Sequence, residues 1–240
     1  MSEPLLRLAG VHTHIGRYHI LHGVDLSVPE GGVTMLLGRN GAGKTTTLRT
    51  IIGHWRASQG SVRFAGEDMT ACPTPRRARA GIAEVPESMG IFTDLTVEEN
   101  MALAARAGKP EGPRLDAVFK AFPPLRTFWK NPAGNLSGGQ KQMLSVARAM
   151  IEPRRLILID EPSKGLAPAI VRSLVEALRA LKDTGATILM VEQNFSVARA
   201  LGDTVAVMDE GRVIHAGPMA ELAENREMQE RLMGLSLEAH

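Results

Sequence analysis

Three short stretches of this 240-residue chain carry residue types that could do chemistry. Gly38-Arg39-Asn40-Gly41-Ala42-Gly43-Lys44-Thr45-Thr46 fits G-x-x-x-x-G-K-[ST] at every fixed position. Glycines let a backbone wrap a phosphate and aim its N–H groups inward. A helix starting near Lys44 turns its positive end toward the same anion. Lys44 then reaches the outer phosphates, and the Thr45 hydroxyl is a candidate Mg²⁺ ligand. Far downstream, the apolar run Leu156-Ile157-Leu158-Ile159 ends in Asp160-Glu161. Asp160 suits positioning Mg²⁺ through water, and Glu161 suits orienting a water for attack on a phosphate. Between them lies Leu136-Ser137-Gly138-Gly139-Gln140, ahead of a helical pattern through Met143, Leu144, Ala147 and Ile151. Hydroxyl, open backbone and helix dipole there make a second anion site.

The elements that must position these residues alternate in type. Leu5–Val11, Ile20–Val28, Val33–Gly38 and Ser61–Ala65 read as strands, with Val24, Leu26 and Val28 alternating with polar residues. A helix runs from Lys44 to about Gly53. Thr96–Ala107 and Arg114–Phe122 read as helices, Pro123-Pro124 breaks the second, and Lys130–Asn135 is a loop. This part reads as a helical insertion. Leu156–Asp160, Thr187–Glu192 and Thr204–Asp209 are apolar strands separated by helices such as Ala169–Lys182, and the tail from Pro218 to Leu237 is helical. Strands alternating with helices imply an α/β fold with parallel pairing and both sheet faces covered.

Composition narrows the class. A net charge of +2 and few aromatic side chains argue against a nucleic-acid binder. Cys72 is the single cysteine, so no internal disulfide or cysteine-built zinc site is expected, which suits a reducing cytosol. The amino terminus lacks the basic start and apolar core of a leader, and no apolar stretch approaches the roughly 20 residues that span a bilayer. His12, His14, His19 and His22 lack a metal-ligand spacing, and Arg76-Arg77-Ala78-Arg79 reads as a solvated basic helix face rather than a lipid contact. Gly90-Ile91-Phe92 and Phe122–Trp129 are apolar segments that either form a docking groove or belong to the core.

Taken together, Gly38–Thr46, LSGGQ at 136–140 and LILIDEP at 156–162 closely resemble the ATPases of the ATP-binding cassette (ABC) family, over nearly the whole chain. The resemblance implies a P-loop NTPase fold: a RecA-like core with a parallel central sheet, an N-terminal antiparallel β subdomain and a helical signature subdomain. One domain would span 1–240, with the core and β part in about 1–86 and 150–240 and the helical part in about 87–149. It implies an ATPase that uses ATP and Mg²⁺ and works as a head-to-tail pair. The phosphates would be held by Gly38, Arg39, Asn40, Gly41, Ala42, Gly43, Lys44, Thr45 and Thr46. Ser137, Gly138, Gly139 and Gln140 would close on the partner's ATP.

Four positions depart from the family pattern. Glu87 follows Ala83-Glu84-Val85-Pro86 where glutamine is usual; as a carboxylate it is a candidate metal ligand that also repels the γ-phosphate. Gln193 replaces the switch histidine; it can hydrogen-bond a γ-phosphate but does not titrate, which shifts the base role toward Glu161. Ala167 replaces an aspartate of the loop after Glu161. Ile15 stands where an aromatic usually stacks on adenine and offers only apolar packing, with Tyr18 or His14 as substitutes.

The segments containing Pro86-Glu87-Ser88, EPSKGLAP and VEQNF resemble the LivF-like ATP-binding subunit of branched-chain amino-acid importers, and the urea-importer subunit looks similar. This implies an importer subunit, peripheral on the cytoplasmic face of the inner membrane. Its partners would be a second ABC ATPase subunit (homo- or heterodimer), transmembrane permease subunits and, indirectly, a periplasmic solute-binding protein, with no nucleic acid. An exporter or lipid-transport ATPase, or a soluble non-transport ABC ATPase, is the alternative reading.

Overall fold

The computed structural model describes residues 3–105, 108 and 110–233. In chain order the elements are β1 (Leu6–Ile15), β2 (Tyr18–Val28), β3 (Val33–Gly38), α1 (Lys44–Ile52), β4 (Ala57–Phe64), β5 (Glu67–Asp68), α2 (Thr74–Ala80) and β6 (Ile82–Val85). Then follow α3 (Val97–Ala104), α4 (Pro113–Ala121), α5 (Pro123–Thr127), α6 (Gly138–Met150), β7 (Leu156–Asp160), α7 (Pro168–Asp183), β8 (Thr187–Val191), α8 (Phe195–Leu201), β9 (Thr204–Asp209), β10 (Arg212–Pro218), α9 (Met219–Glu224) and α10 (Arg226–Met233).

Two sheets result. One is antiparallel in the order β2-β1-β4-β5; the other has the order β10-β9-β3-β8-β7-β6 and is parallel except for its edge strand β10. The central strands obey a period of two with both faces buried. Met35, Ile157, Ile159, Ile188, Met190, Val205 and Val207 face one apolar core. Leu36, Leu156, Leu158, Leu189, Val191, Ala206 and Met208 face the other. The first core continues into α3, α4, α5 and α6 through Met101, Val118, Phe122, Leu125 and Leu144. The second core joins the central sheet to the antiparallel sheet and α1. Burying both faces explains why the central strands read as unbroken apolar runs.

Several expected elements change on inspection. The edge strand β10 was not expected, because its side chains alternate between exposed and half-buried without an apolar face. Its signal lay in the two-residue turn Glu210-Gly211, where both residues have positive φ (43° and 74°), the geometry of a tight hairpin. Pro123-Pro124 ends α4 and opens α5, proline being compatible with a first helical turn. Of the expected helix Thr96–Ala107, α3 covers Val97–Ala104 behind a Thr96–Glu99 capping box, and Ala107 lies outside the described residues. The described part of the tail is two helices, and its last expected residues, 234–237, lie outside the described residues.

Phe122 and Leu125 are core, whereas Phe92 is half exposed. The four histidines meet on β1 and β2, with His14 and His19 stacked at 4.2 Å and His12 Nδ1 2.9 Å from His19 Nε2.

The basic run on α2 is not uniformly solvated. Arg77 is 2% exposed and donates to the carbonyls of Thr50 (2.7 Å), Ile51 (2.7 Å), Cys72 (2.8 Å) and Thr70 (3.1 Å). A guanidinium is the side chain with enough fixed donors to satisfy carbonyls at the end of α1 and in the loop between β5 and α2 at once. Arg77→Met keeps the apolar stem and orphans these acceptors, at about 1–3 kcal/mol for each one left without a partner. Chemical denaturation of this variant should lose at least about 2 kcal/mol, whereas wild-type stability would show the guanidinium to be dispensable.

Candidate functional site

The phosphate loop leaves β3 at Gly38 and enters α1 at Lys44. Two glycines are required by what surrounds them. Gly38 has φ 141°, and a Cβ there would stand 2.2 Å from the Met208 carbonyl oxygen of β9. Gly43 has φ 100°, and its Cβ would meet Leu21 Cδ2 at 2.9 Å. The first turn of α1 carries no side-chain cap and no acidic residue. Its orphan N–H groups and the dipole therefore remain available to an anion. Lys44 is buried and donates to the carbonyls of Gly38 (2.8 Å) and Arg39 (3.0 Å). Burial lowers its pKa, opposed by the nearby Glu161 and Asp160 carboxylates.

Three adjacent strands, β3, β8 and β7, deliver the site's parts at their carboxyl ends. From β7, Asp160 accepts a 3.2 Å hydrogen bond from Thr45 Oγ1. Burial pushes its carboxyl up to about 6, aided by Glu161 and Glu87 and opposed by the Thr45 hydrogen bond. Among the described residues no cluster of three or more His, Cys, Asp or Glu side chains is placed to hold a metal ion. One hydroxyl and one carboxylate beside a phosphate cradle instead form a hard-oxygen set that fits Mg²⁺, which keeps waters and takes few protein ligands alongside substrate phosphates.

Glu161 adopts φ 47°, rare for a side chain of this type, while its N–H donates to Val191 O at 2.9 Å. The strain of about 1–3 kcal/mol turns the carboxylate back into the cleft. From the end of β8, Gln193 Nε2 donates to Glu161 Oε1 at 2.6 Å and to Asn40 Oδ1 at 2.8 Å. Gln193 thus ties the phosphate loop to the acidic strand end, a connection that needs no titration. Beneath it the buried Glu192 accepts from the N–H groups of Ser163 (3.0 Å), Gln193 (3.0 Å) and Asn194 (3.1 Å). Sequence reading passed over Glu192, although a carboxylate directly after an apolar strand was its signal.

Two further placements bear on the expectations. Glu87 lines the cleft with Gly41, Lys44 and Thr45, yet its carboxylate is engaged by Lys164 Nζ at 2.5 Å; that ammonium also lies 3.2 Å from Glu161 Oε2. Lys164 was not singled out, because a lysine in a loop carries no signal of its own. Ile15 ends β1 opposite Tyr18 and does not line the cleft, whereas Ile20 does.

Ser137, Gly138, Gly139 and Gln140 lie elsewhere, at the start of α6. The Ser137 hydroxyl accepts from Gln140 N–H (3.3 Å), and Gln140 Oε1 accepts from Ser137 N–H (2.9 Å), a reciprocal cap. Gly138 faces open space, while a Cβ on Gly139 would be 2.5 Å from Ile170 Cγ2 on α7. No residue of 136–140 lines the phosphate-loop cleft of its own chain.

A glycine-rich loop between a central parallel strand and a helix, with an acidic strand end beside it, defines a P-loop nucleotide-binding protein. The ABC transporter family model matches residues 21–164. The chain is 37% identical to the high-affinity branched-chain amino acid transport ATP-binding protein BraG of Pseudomonas aeruginosa, covering 96% of this chain and 100% of that protein. It is 36% identical to the probable branched-chain amino acid transport ATP-binding protein LivF of Archaeoglobus fulgidus, covering 96% and 99%. A nucleotide-free ATP-binding cassette from an ABC transporter superposes with a TM-score of 0.79 at 26% identity, covering 94% of this chain and 97% of that one. This chain belongs to the ABC transporter family, as an ATP-binding cassette.

The raised Asp160 pKa makes a stability prediction. Between the ordinary value of 3.8 and about 6 the folded state binds the proton more tightly, so this group's contribution to stability falls as pH rises through that window. Asp160→Asn removes the cost. Without nucleotide and in chelator, its thermal midpoint should exceed wild type by roughly 3–6 °C at pH 7.5, with the gap narrowing toward pH 5. Equal midpoints at pH 7.5 would contradict a buried, destabilising carboxylate.

Proposed function

We propose that the chain is the ATP-hydrolysing subunit of an ABC importer that powers uptake of branched-chain amino acids or a related small polar solute across the cytoplasmic membrane. The observation that carries the hydrolytic reading is the convergence of Lys44, Thr45, Asp160, Glu161 and Gln193 at the ends of three neighbouring strands. The transport reading is supported by relatives whose names specify branched-chain amino acid transport and which this chain matches along nearly their whole length.

In this reading the loop amides and Lys44 bind the β- and γ-phosphates of ATP, the substrate. Thr45 and Asp160 hold Mg²⁺, which when bound neutralises phosphate charge. Glu161 accepts the proton of the attacking water and orients it. Gln193 fixes that carboxylate from one side and, through Asn40, couples it to the loop that senses the phosphates. Ser137, Gly138, Gly139 and Gln140 serve the ATP of a second cassette: Gly138 is open to solvent, and the helix end faces no phosphate loop of its own.

No helix among the described residues is long and apolar enough to cross a membrane. We therefore assign transport across the bilayer to permease subunits docked at the cytoplasmic face, with a solute-binding protein acting on the far side. The half-exposed Phe92 and exposed Leu103 flank the surface we assign to a permease.

Glu161→Gln should bind ATP at least as tightly as wild type but hydrolyse it at least tens of times more slowly, because the water loses its base. Phosphate release near the wild-type rate would remove Glu161 from that role. Ser137→Arg should abolish turnover while the isolated chain still binds ATP, since the new side chain blocks only the second cassette's nucleotide. Loss of binding in that isolated chain would place the serine in its own site and refute the paired arrangement.

A further inference from the structure

The cleft that takes the polyphosphate is acidic for an anion site. Glu87 and Glu161 line it, with the buried Asp160 carboxyl behind Thr45, and Lys44 stands among them. The other cation among its described lining residues is Lys164. It stands at the fourth position of a turn whose first residue is Glu161, closed by Lys164 N–H donating to Glu161 O at 3.2 Å. That turn folds its side chain back over the cleft. The ammonium lies 2.5 Å from Glu87 Oε1 and 3.2 Å from Glu161 Oε2, so it bridges the segment after β6 to the segment after β7.

Glu161 is itself nearly enclosed, with 9% of its side chain exposed, so one end of this bridge is not a solvated surface pair. Among the described residues Lys164 is the partner that occupies the Glu87 carboxylate. Without Lys164, two glutamates and an aspartate would confront the phosphates of ATP with Lys44 as the nearest cation, and like charges in a half-buried cleft repel at this range.

We propose that Lys164 is a positioning residue that neutralises Glu87 and holds it aside, so that a carboxylate can occupy this place in the cleft without expelling the γ-phosphate. Lys164 and Glu87 act as a matched pair, and neither is neutral without the other. The same ammonium lies within ion-pair distance of Glu161 Oε2, which has no hydrogen-bond donor of its own among the described residues, while Gln193 donates to Oε1. The inference rests on the nucleotide-site reading above and adds a residue to it.

The test is a double-mutant cycle on ATP binding, read by fluorescence anisotropy of a ribose-labelled ATP in chelator, so that neither turnover nor metal enters. Lys164→Leu should weaken binding about tenfold with Glu87 present and no more than about twofold in a Glu87→Gln background, a coupling of about 1 kcal/mol. Lys164→Arg, which keeps the charge, should stay within about threefold of wild type. Because Lys164 is more than half exposed, its variants should keep the wild-type thermal midpoint, and the binding loss would then report charge rather than folding. Equal losses in both backgrounds, or no loss with Glu87 present, would overturn the pairing. Failure of the folded wild-type chain to bind the labelled ATP would overturn the nucleotide-site reading itself, a result separate from failed coupling in a chain that binds.

Discussion

A polyanion must be held beside carboxylates, and the rest of this structure answers that requirement. In the proposed hydrolysis the carboxylates position a metal and a water next to the phosphates. Their repulsion has to be offset locally, since a half-buried cleft screens charge poorly. In the proposed site the offset comes in layers: loop amides and the dipole of α1, the buried Lys44 ammonium, and the inferred role of the Lys164 bridge between Glu87 and Glu161. Burial raises the Asp160 carboxyl to about 6, and the neighbouring Glu161 and Glu87 add to the shift.

That arrangement dictates much of the fold around it. The loop can pass within contact of β9 because Gly38 has no side chain, and β9 must be in place beside β3 for the contact to exist. Asp160, Glu161 and Gln193 reach the loop because β8 and β7 stand next to β3 in that order, in register and buried on both faces. The positive φ of Glu161 and the buried Glu192 beneath it fix the two turns that face the phosphates. Helix α6 repeats the anion-site chemistry at a second place, with an open Gly138 and a Gly139 locked against α7. On the proposed reading one chain carries two half-sites, and a partner cassette completes each.

The parts legible in the sequence were those whose chemistry is local. Gly38–Thr46 announces a phosphate cradle because the glycines, the lysine and the threonine act on one ligand within one turn of chain. Asp160-Glu161 was legible because an unbroken apolar run marks a doubly covered strand, and strand ends of such sheets carry the site. What escaped were pairings across the chain. Glu87 and Lys164 lie 77 positions apart and meet only after β6 and β7 pair. Arg77 looked like one of three surface arginines until α1, whose carbonyls it satisfies, was packed against it. Ile20, brought to the phosphate-loop cleft by the β1–β2 hairpin, carries no local signal either. Strand β10 has no apolar face to reveal it, and the positive-φ pair Glu210-Gly211 is the only local trace of its turn.

The central claim is that Lys44 and the loop around it anchor the phosphates of ATP against the cleft's own acidity. Calorimetric titration of ATP and AMP into the wild-type chain and into Lys44→Met tests it most directly. The account predicts that wild type binds ATP at least tenfold more tightly than AMP, and that Lys44→Met loses most of that preference while still unfolding cooperatively above the assay temperature. Equal affinity of the folded variant and wild type for ATP would contradict it.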